Sequence, residues 1–135
     1  MFRAIPLFVI MLIVYNINMF IGDINGNLNA EIASFGLVSG AQWRFSVSDL
    51  YIVLGILMLN IEVFKSTATG ATSIIDHSLS MIVFIIFLIE FLVVKDCGTS
   101  TFFILGLMSL LDVIAGFTVS IVAARRDFNF GPHHD

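Results

Sequence analysis

Four long apolar stretches constrain this chain more than any other feature of its sequence. They cover roughly residues 5–21, 48–64, 74–94 and 102–124. A helix needs about 20 residues to cross a hydrocarbon core of ~30 Å. In lipid, every backbone N–H must also find its partner inside the protein. The sequence therefore predicts an all-α membrane protein, with four transmembrane helices in an up-down bundle that forms a single domain, residues 1–135.

The composition agrees with a chain that is largely surrounded by lipid. Only 12% of the residues are charged and mean hydropathy is +1.04, whereas a soluble domain carries about a quarter charged residues. The six basic residues form no stripe, which argues against nucleic acid as a partner. Cys97 is the single cysteine, and His133 and His134 lie in the tail, so we expect no disulfide, metal or other cofactor.

The connections between the stretches indicate the direction of the chain. Cytoplasmic loops of membrane proteins carry the excess of Lys and Arg. The two sides of the predicted bundle divide these residues unequally: Arg3, Lys65, Arg125 and Arg126 on the side of both termini, Arg44 and Lys95 on the other. This favours cytoplasmic termini, with residues 125–135 as a cytoplasmic tail.

The largest connection, residues 22–47, is expected outside the cytoplasm. Near its end Trp43 and Phe45 alternate with Gln42 and Arg44 after a Ser39-Gly40 turn, a pattern typical of a short β-hairpin. Two strands alone are marginal in water. The hairpin is therefore predicted to rest on the membrane surface or on the helix ends, with Trp43 at the interface.

Asp112 is the most informative residue, because it lies about halfway along the fourth stretch. A charged carboxylate there costs about 2.5–3.5 kcal/mol on insertion scales. Steps of three and four residues place small side chains on its helix face: Ser109, Ala115, Gly116, Ser120 and Ala123. Such a face favours close helix packing. Two interpretations stay open for Asp112, a proton- or cation-binding carboxylate and an interhelical hydrogen bond.

Further polar residues are expected near each membrane surface. Glu62 and His77 would lie at the inner surface, and a proton relay from them to Asp112 is one interpretation. His77 is about 11 Å from the middle of its helix, which favours an interfacial hydrogen bond instead. At the outer end, interfacial solvation is the expectation for Asn16 and Glu90.

Several runs of residues carry a family resemblance. They are Arg3-Ala4-Ile5-Pro6, Tyr15-Asn16, residues 73–81, residues 90–94, residues 99–103, residues 111–117 and residues 123–127. With these runs the chain resembles a group of small, uncharacterised four-helix inner-membrane proteins of proteobacteria. The resemblance implies a bacterial inner membrane and supplies no activity.

Three functions are compatible with these features. The first is a non-enzymatic structural or interaction subunit, associating with itself or with a larger membrane complex through the small-residue face of the fourth helix. The alternative is a small proton- or cation-coupled transporter or channel subunit that uses Asp112. The third is an enzyme acting on lipid or quinone with His77, Asp76 and Glu62, although the sequence shows no nucleophile–base pair.

Overall fold

The computed structural model describes residues 5–66 and 71–130, with side chains except at 71–73, 123 and 126–130. It is mainly helical, with one two-stranded sheet. The elements in chain order are α1 (Phe8–Ile21), α2 (Ile24–Asn29), β1 (Glu31–Gly36), β2 (Gln42–Ser46), α3 (Val47–Lys65), α4 (Ala71–Val93), a 3₁₀ turn (Lys95–Cys97) and α5 (Ser100–Phe130).

Three of the helices are long and apolar enough to cross a membrane. They contain the spans Val47–Lys65, Ile74–Val93 and Ser100–Val122. α1 has 14 residues and is about 21 Å long, which is shorter than predicted. Its helix begins only at Phe8, because Pro6 restricts the residue before it and the chain first makes a turn, with Val9 N–H donating to Pro6 O at 3.3 Å.

The ends of the other helices follow their local chemistry. At the start of α3 the Ser46 side chain accepts from Asp49 N–H at 3.3 Å, and Asp49 accepts from Ser46 N–H at 3.0 Å, forming the expected capping box. α5 continues to Phe130, so the helix includes much of the predicted polar tail. Nothing in residues 125–130 breaks a helix, and Gly131-Pro132 lies outside the described residues.

The β-hairpin is confirmed, with antiparallel pairing of β1 and β2 and a turn that places Gly40 at φ 88°. That backbone conformation suits glycine. The preceding segment, expected to be an irregular polar turn, instead forms α2. Its Ile24 and Leu28 are buried, so even a six-residue helix is stabilised by the two apolar side chains that it places against the bundle.

The core lies between α1, α3, α4 and α5, towards the end at which α5 begins. Its largest buried side chains include Phe8, Tyr15, Phe87 and Phe102. Apolar residues on the outward faces of the same helices remain exposed, as expected for helices surrounded by lipid.

α3 and α5 approach each other at Gly55. A Cβ atom on Gly55 would lie 2.8 Å from Met108 Sδ and 2.9 Å from Leu105 Cδ2. The corresponding position in the contact between α4 and α5 is Gly106, where a Cβ atom would lie 3.6 Å from Phe87, an ordinary contact. Of these two glycines, only Gly55 has no room for a Cβ atom unless Met108 and Leu105 move.

We expect Gly55→Ala to lower the free energy of unfolding by about 1–3 kcal/mol, since the methyl group overpacks the buried contact with Met108 and Leu105. Gly106→Ala is the matched control and should be neutral or stabilising, because alanine favours a helix over glycine by about 0.5–1 kcal/mol. Unfolding in mixed detergent micelles measures both. Equal stability of the two variants would contradict the close approach at Gly55.

Candidate functional site

Ionisable side chains from three helices meet at the end of the bundle where α1 begins. α3 supplies Glu62, α4 supplies Asp76 and His77, and α5 supplies Asp112. Their exposed fractions are 1%, 3%, 3% and 4%. We call these four residues, together with Lys65, the inner cluster. Buried ionisable groups within membrane helices are costly and therefore mark candidate functional sites.

Lys65 joins the carboxylates of the inner cluster. Its Nζ lies 3.0 Å from Glu62 Oε1 and 3.5 Å from Asp76 Oδ1. Lys65 also donates to the Ile5 carbonyl oxygen at 2.7 Å, while Leu7 N–H donates to Glu62 Oε1 at 2.7 Å. The cluster thus satisfies backbone groups just before α1, which have no partner of their own in a helix.

The inner cluster holds more negative charge than its cation can neutralise. Of its three carboxylates, Glu62 and Asp76 contact Lys65, while Asp112 has no Lys or Arg contact among the described residues. One oxygen of each has no hydrogen-bond partner within this part of the chain: Glu62 Oε2, Asp76 Oδ1 and Asp112 Oδ2. Burying a charge without a partner raises the free energy of the folded protein. Binding of protons or of a cation by the inner cluster would lower it.

Ser80 links Asp112 to Asp76. Its hydroxyl donates to the Asp76 carbonyl oxygen at 2.9 Å, and its side chain also hydrogen-bonds with the Asp112 carboxyl group. A serine hydroxyl has one proton to donate. The Ser80 hydroxyl can therefore donate to the Asp76 carbonyl oxygen or to the Asp112 carboxyl group, but not to both at once.

His77 is buried and does not form the expected interfacial hydrogen bond. Its Nε2 lies 2.7 Å from Ser120 Oγ, and its Nδ1 lies 3.8 Å from Asp76 Oδ2. The imidazole packs on Gly116, where a Cβ atom would lie 2.8 Å from Nδ1. The absence of a side chain at Gly116 therefore makes room for the His77 ring of the same chain.

The structure brings most of the predicted site residues together. Glu62, His77, Asp112 and Ser120 belong to one connected group, and Ser109 is buried on the same helix with no hydrogen-bond partner for its hydroxyl among the described residues. The residues predicted to pack helices against each other differ in burial. Gly116 is buried, Ala115 and Ser120 are half-buried, and the side chain of Ala123 lies outside the described residues.

Two contributors were not assigned to the site from the sequence. Lys65 was used only to orient the chain, although its spacing of three residues from Glu62 is a signal for an ion pair. Ser80 lies one turn after Asp76, a spacing at which a serine hydroxyl reaches the backbone of its own helix. Its contact with α5 required the structure.

Polar residues at the other end pair with one another. Asn16 donates to Glu90 Oε2 at 3.0 Å, and Tyr15 Oη bonds to Thr99 Oγ1 at 2.8 Å. Asn16 and Glu90 are both half-buried, so their contact leaves part of each side chain exposed, and interfacial solvation stays a prediction. Nearby, Cys97 is fully buried in the 3₁₀ turn, and desolvation raises the pKa of its thiol to about 11. The thiol is protonated at neutral pH and is a poor nucleophile.

An apolar groove of about 210 Å³ runs between α4 and α5. The phenylalanine stripe of α4 contributes Phe84, Phe87 and Phe91, of which Phe87 is buried against Phe102 at a ring distance of 5.1 Å. The groove contains no ionisable side chain and is separate from the inner cluster.

Comparisons with protein-family models, with curated proteins and with solved structures found no match. Within the described residues, no three His, Cys, Asp or Glu side chains are placed so that they could hold a metal ion. Chemical interpretation of the inner cluster therefore depends on its own geometry.

We expect Lys65→Met to lower the free energy of unfolding near neutral pH by about 3 kcal/mol or more, since it leaves buried carboxylates without their cation. Adding Asp76→Asn should recover part of this loss, because one of the unpaired charges is removed. The loss should also shrink as the pH falls and the carboxylates bind protons.

Detergent-micelle unfolding of both variants between about pH 7 and pH 4 measures these changes. Lys95→Met, in the exposed 3₁₀ turn, is the control and should change stability by no more than about 0.5 kcal/mol. A pH-independent loss for Lys65→Met would show that lost packing, and not unpaired charge, causes the effect.

Proposed function

We propose that this chain is a four-span protein of a bacterial inner membrane and acts as a small proton-coupled transporter or channel subunit. One observation carries the proposal: three carboxylates from three helices are buried together, two of them contact Lys65, and each retains an oxygen without a hydrogen bond among the described residues. A group of this kind binds protons readily.

The contacts of α1 support counting it as the fourth span. Leu7 meets Glu62 near one end of α3, and Asn18 meets Tyr51 near the other, at 2.7 Å and 3.1 Å. Leu7 and Asn18 are eleven residues apart in the sequence, and so are their partners Glu62 and Tyr51, which follow in the opposite order. α1 therefore runs antiparallel to α3 over the same depth. A short apolar helix is accommodated by local thinning of the bilayer.

The placement of the inner cluster on the cytoplasmic side remains part of the proposal. The side with both chain termini carries the larger number of Lys and Arg residues, and Lys65 of the cluster belongs to that side. The bacterial inner membrane is suggested by the family resemblance of the sequence.

Protons are favoured over metal ions as the species bound. Metal binding requires several ligands that converge on one point, and the described part of the chain contains no such group of His, Cys, Asp and Glu. A proton needs only one acceptor oxygen with a neighbouring donor. Asp112 with Ser80, and Glu62 with Lys65, provide such pairs.

Four helices surround too little space for a transport path, so the proposal includes association with a second copy or with a larger membrane complex. The interaction subunit favoured by the sequence depended on the small-residue face of α5. In the structure, Gly116 on that face packs against His77 of the same chain. This intramolecular contact weakens the argument for an interaction subunit alone.

We expect Asp112→Asn to abolish proton flux in reconstituted vesicles, because the amide cannot bind and release a proton. Flux is measured with a pH-sensitive dye trapped inside vesicles across an imposed pH gradient. Asp96→Asn changes an exposed carboxylate in the 3₁₀ turn and serves as the matched control, with flux unchanged. Equal flux for wild type and Asp112→Asn would remove Asp112 from the mechanism.

A hydrolytic enzyme is the second candidate, because the structure does contain a nucleophile–base pair that the sequence did not reveal. Ser120 Oγ lies 2.7 Å from His77 Nε2, within reach for proton transfer. Two features oppose it. Asp76 is 3.8 Å from Nδ1, too far for an orienting hydrogen bond. Ser120 also lies inside α5, where backbone N–H groups are engaged in the helix and none is available for an oxyanion.

A fluorophosphonate probe, which forms a covalent bond to an activated serine, separates the two functions. We expect no labelling of the wild-type protein, since Ser120 lacks an oxyanion-stabilising donor. Labelling that disappears in both Ser120→Ala and His77→Gln would instead establish the enzyme. Ser109→Ala, on the same helix, controls for reaction at another buried serine.

A further inference from the structure

The four residue pairs from Ala33 to Gly36 in the β-hairpin separate apolar from polar side chains. Residues directly opposite each other in an antiparallel pair point to the same face, and the pairs alternate between faces along the strands. One face carries the pairs Phe35 with Trp43 and Ala33 with Phe45. The other face carries Ser34 with Arg44 and Gly36 with Gln42. A short strand pair with this division has one face suited to an apolar environment and one suited to water.

The apolar face forms a continuous aromatic surface that the chain leaves uncovered. The ring of Trp43 lies 5.6 Å from Phe35 and 5.6 Å from Phe45. Phe35 and Trp43 are 49% and 48% exposed, and Leu37 at the end of the same face is 48% exposed. Contiguous exposed apolar surface of this kind marks a site of interaction.

Burial along the apolar face rises towards the base of the hairpin. The innermost pair, Ala33 and Phe45, is half-buried, while the next pair on the same face, Phe35 and Trp43, is exposed. The apolar face therefore runs continuously from a half-buried end near the start of α3 to an exposed end at Trp43 and Phe35.

The hairpin is fixed to the bundle without a linker. β2 ends at Ser46, and α3 begins at Val47. At the base of the hairpin, Val47 N–H donates to Ala30 O at 3.0 Å. α3 is one of the helices able to cross a membrane, so its first residue lies at the membrane surface. Strands of five and six residues extend only about 17–20 Å from that point.

We infer that the apolar face of the hairpin is a lipid-binding surface that lies in the interfacial layer of the bilayer. Two observations select lipid as the occupant: attachment at the first residue of a helix able to cross a membrane, and the aromatic composition of the surface. Tryptophan and other aromatic side chains are stabilised at this depth, because one part of the ring system is in apolar surroundings and the polar N–H reaches headgroups. The opposite face keeps Arg44 with Glu31, at 3.9 Å, among headgroups and water.

Trp43 is the only tryptophan of the chain, so its fluorescence reports directly on this surface. The full chain is reconstituted in phosphatidylcholine vesicles, once with ordinary lipid and once with lipid brominated on the acyl carbons nearest the headgroup. We expect strong loss of emission with the brominated lipid and little quenching by iodide in the aqueous phase.

Two outcomes would overturn the inference. Efficient iodide quenching without an effect of bromine would place Trp43 in water. Protection from both quenchers would place it against protein, as in a contact between two copies. Because the measurement involves neither Asp112 nor proton flux, its result is independent of the proposed transport function.

Substitutions on the two faces supply a second test. Phe35→Ser removes half of the exposed aromatic pair and should reduce bromine quenching of Trp43, with a red shift of its emission. Ser34→Ala, one residue away on the polar face, should leave both unchanged. Equal effects from the two variants would show that loss of hairpin structure, and not loss of the lipid-binding face, is responsible, and would overturn the inference.

Discussion

The requirement that every backbone polar group be satisfied away from water governs this structure. The hydrogen bond from Leu7 N–H to Glu62 Oε1 is an example, because it satisfies a backbone group that has no partner in its own helix. α1 begins at Phe8, near the start of its apolar stretch, because the chain first makes a turn at Pro6, and the backbone groups of Ile5 and Leu7 must find partners on another helix. Glu62 and Lys65 provide them. The same two side chains then bring Asp76 within reach, so a structural need at the start of α1 and the candidate site share residues.

The bundle consequently has polar groups at two levels. At one end Glu62, Asp76 and Asp112 are grouped around Lys65, and at the other Asn16 contacts Glu90. The two levels differ in charge. The outer contacts are mostly between neutral groups that satisfy one another, whereas the inner cluster has more carboxylates than cations. Among the described residues, the inner cluster places three buried carboxylates around a single lysine, which gives it a chemical reason to bind protons.

Periodicity and length were sufficient to predict the three long helices and the hairpin, because these depend on local signals such as apolar length and the alternation around Trp43. Burial of Asp112 was also predictable, since a mid-helix carboxylate cannot face acyl chains. The partners of Asp112 were not. Contacts such as Ser80 with Asp112 and His77 with Ser120 depend on the rotation of α4 against α5, which a single sequence does not determine. α2 was missed because its helix is stabilised by burial of Ile24 and Leu28, a tertiary effect.

Between the two polar levels the centre of the bundle is filled by Phe87, Phe102, Leu105 and Met11, all almost completely buried. Within the described part of the chain, these apolar side chains leave no polar path for ions or protons through the centre of the bundle. In the proposed transporter, ions or protons that bind at the inner cluster would return to the compartment from which they came, unless a route opens along the outside of the helices. A complete conduction pathway would therefore be built at a seam between subunits, so the number of copies in the assembly would determine whether the protein conducts at all.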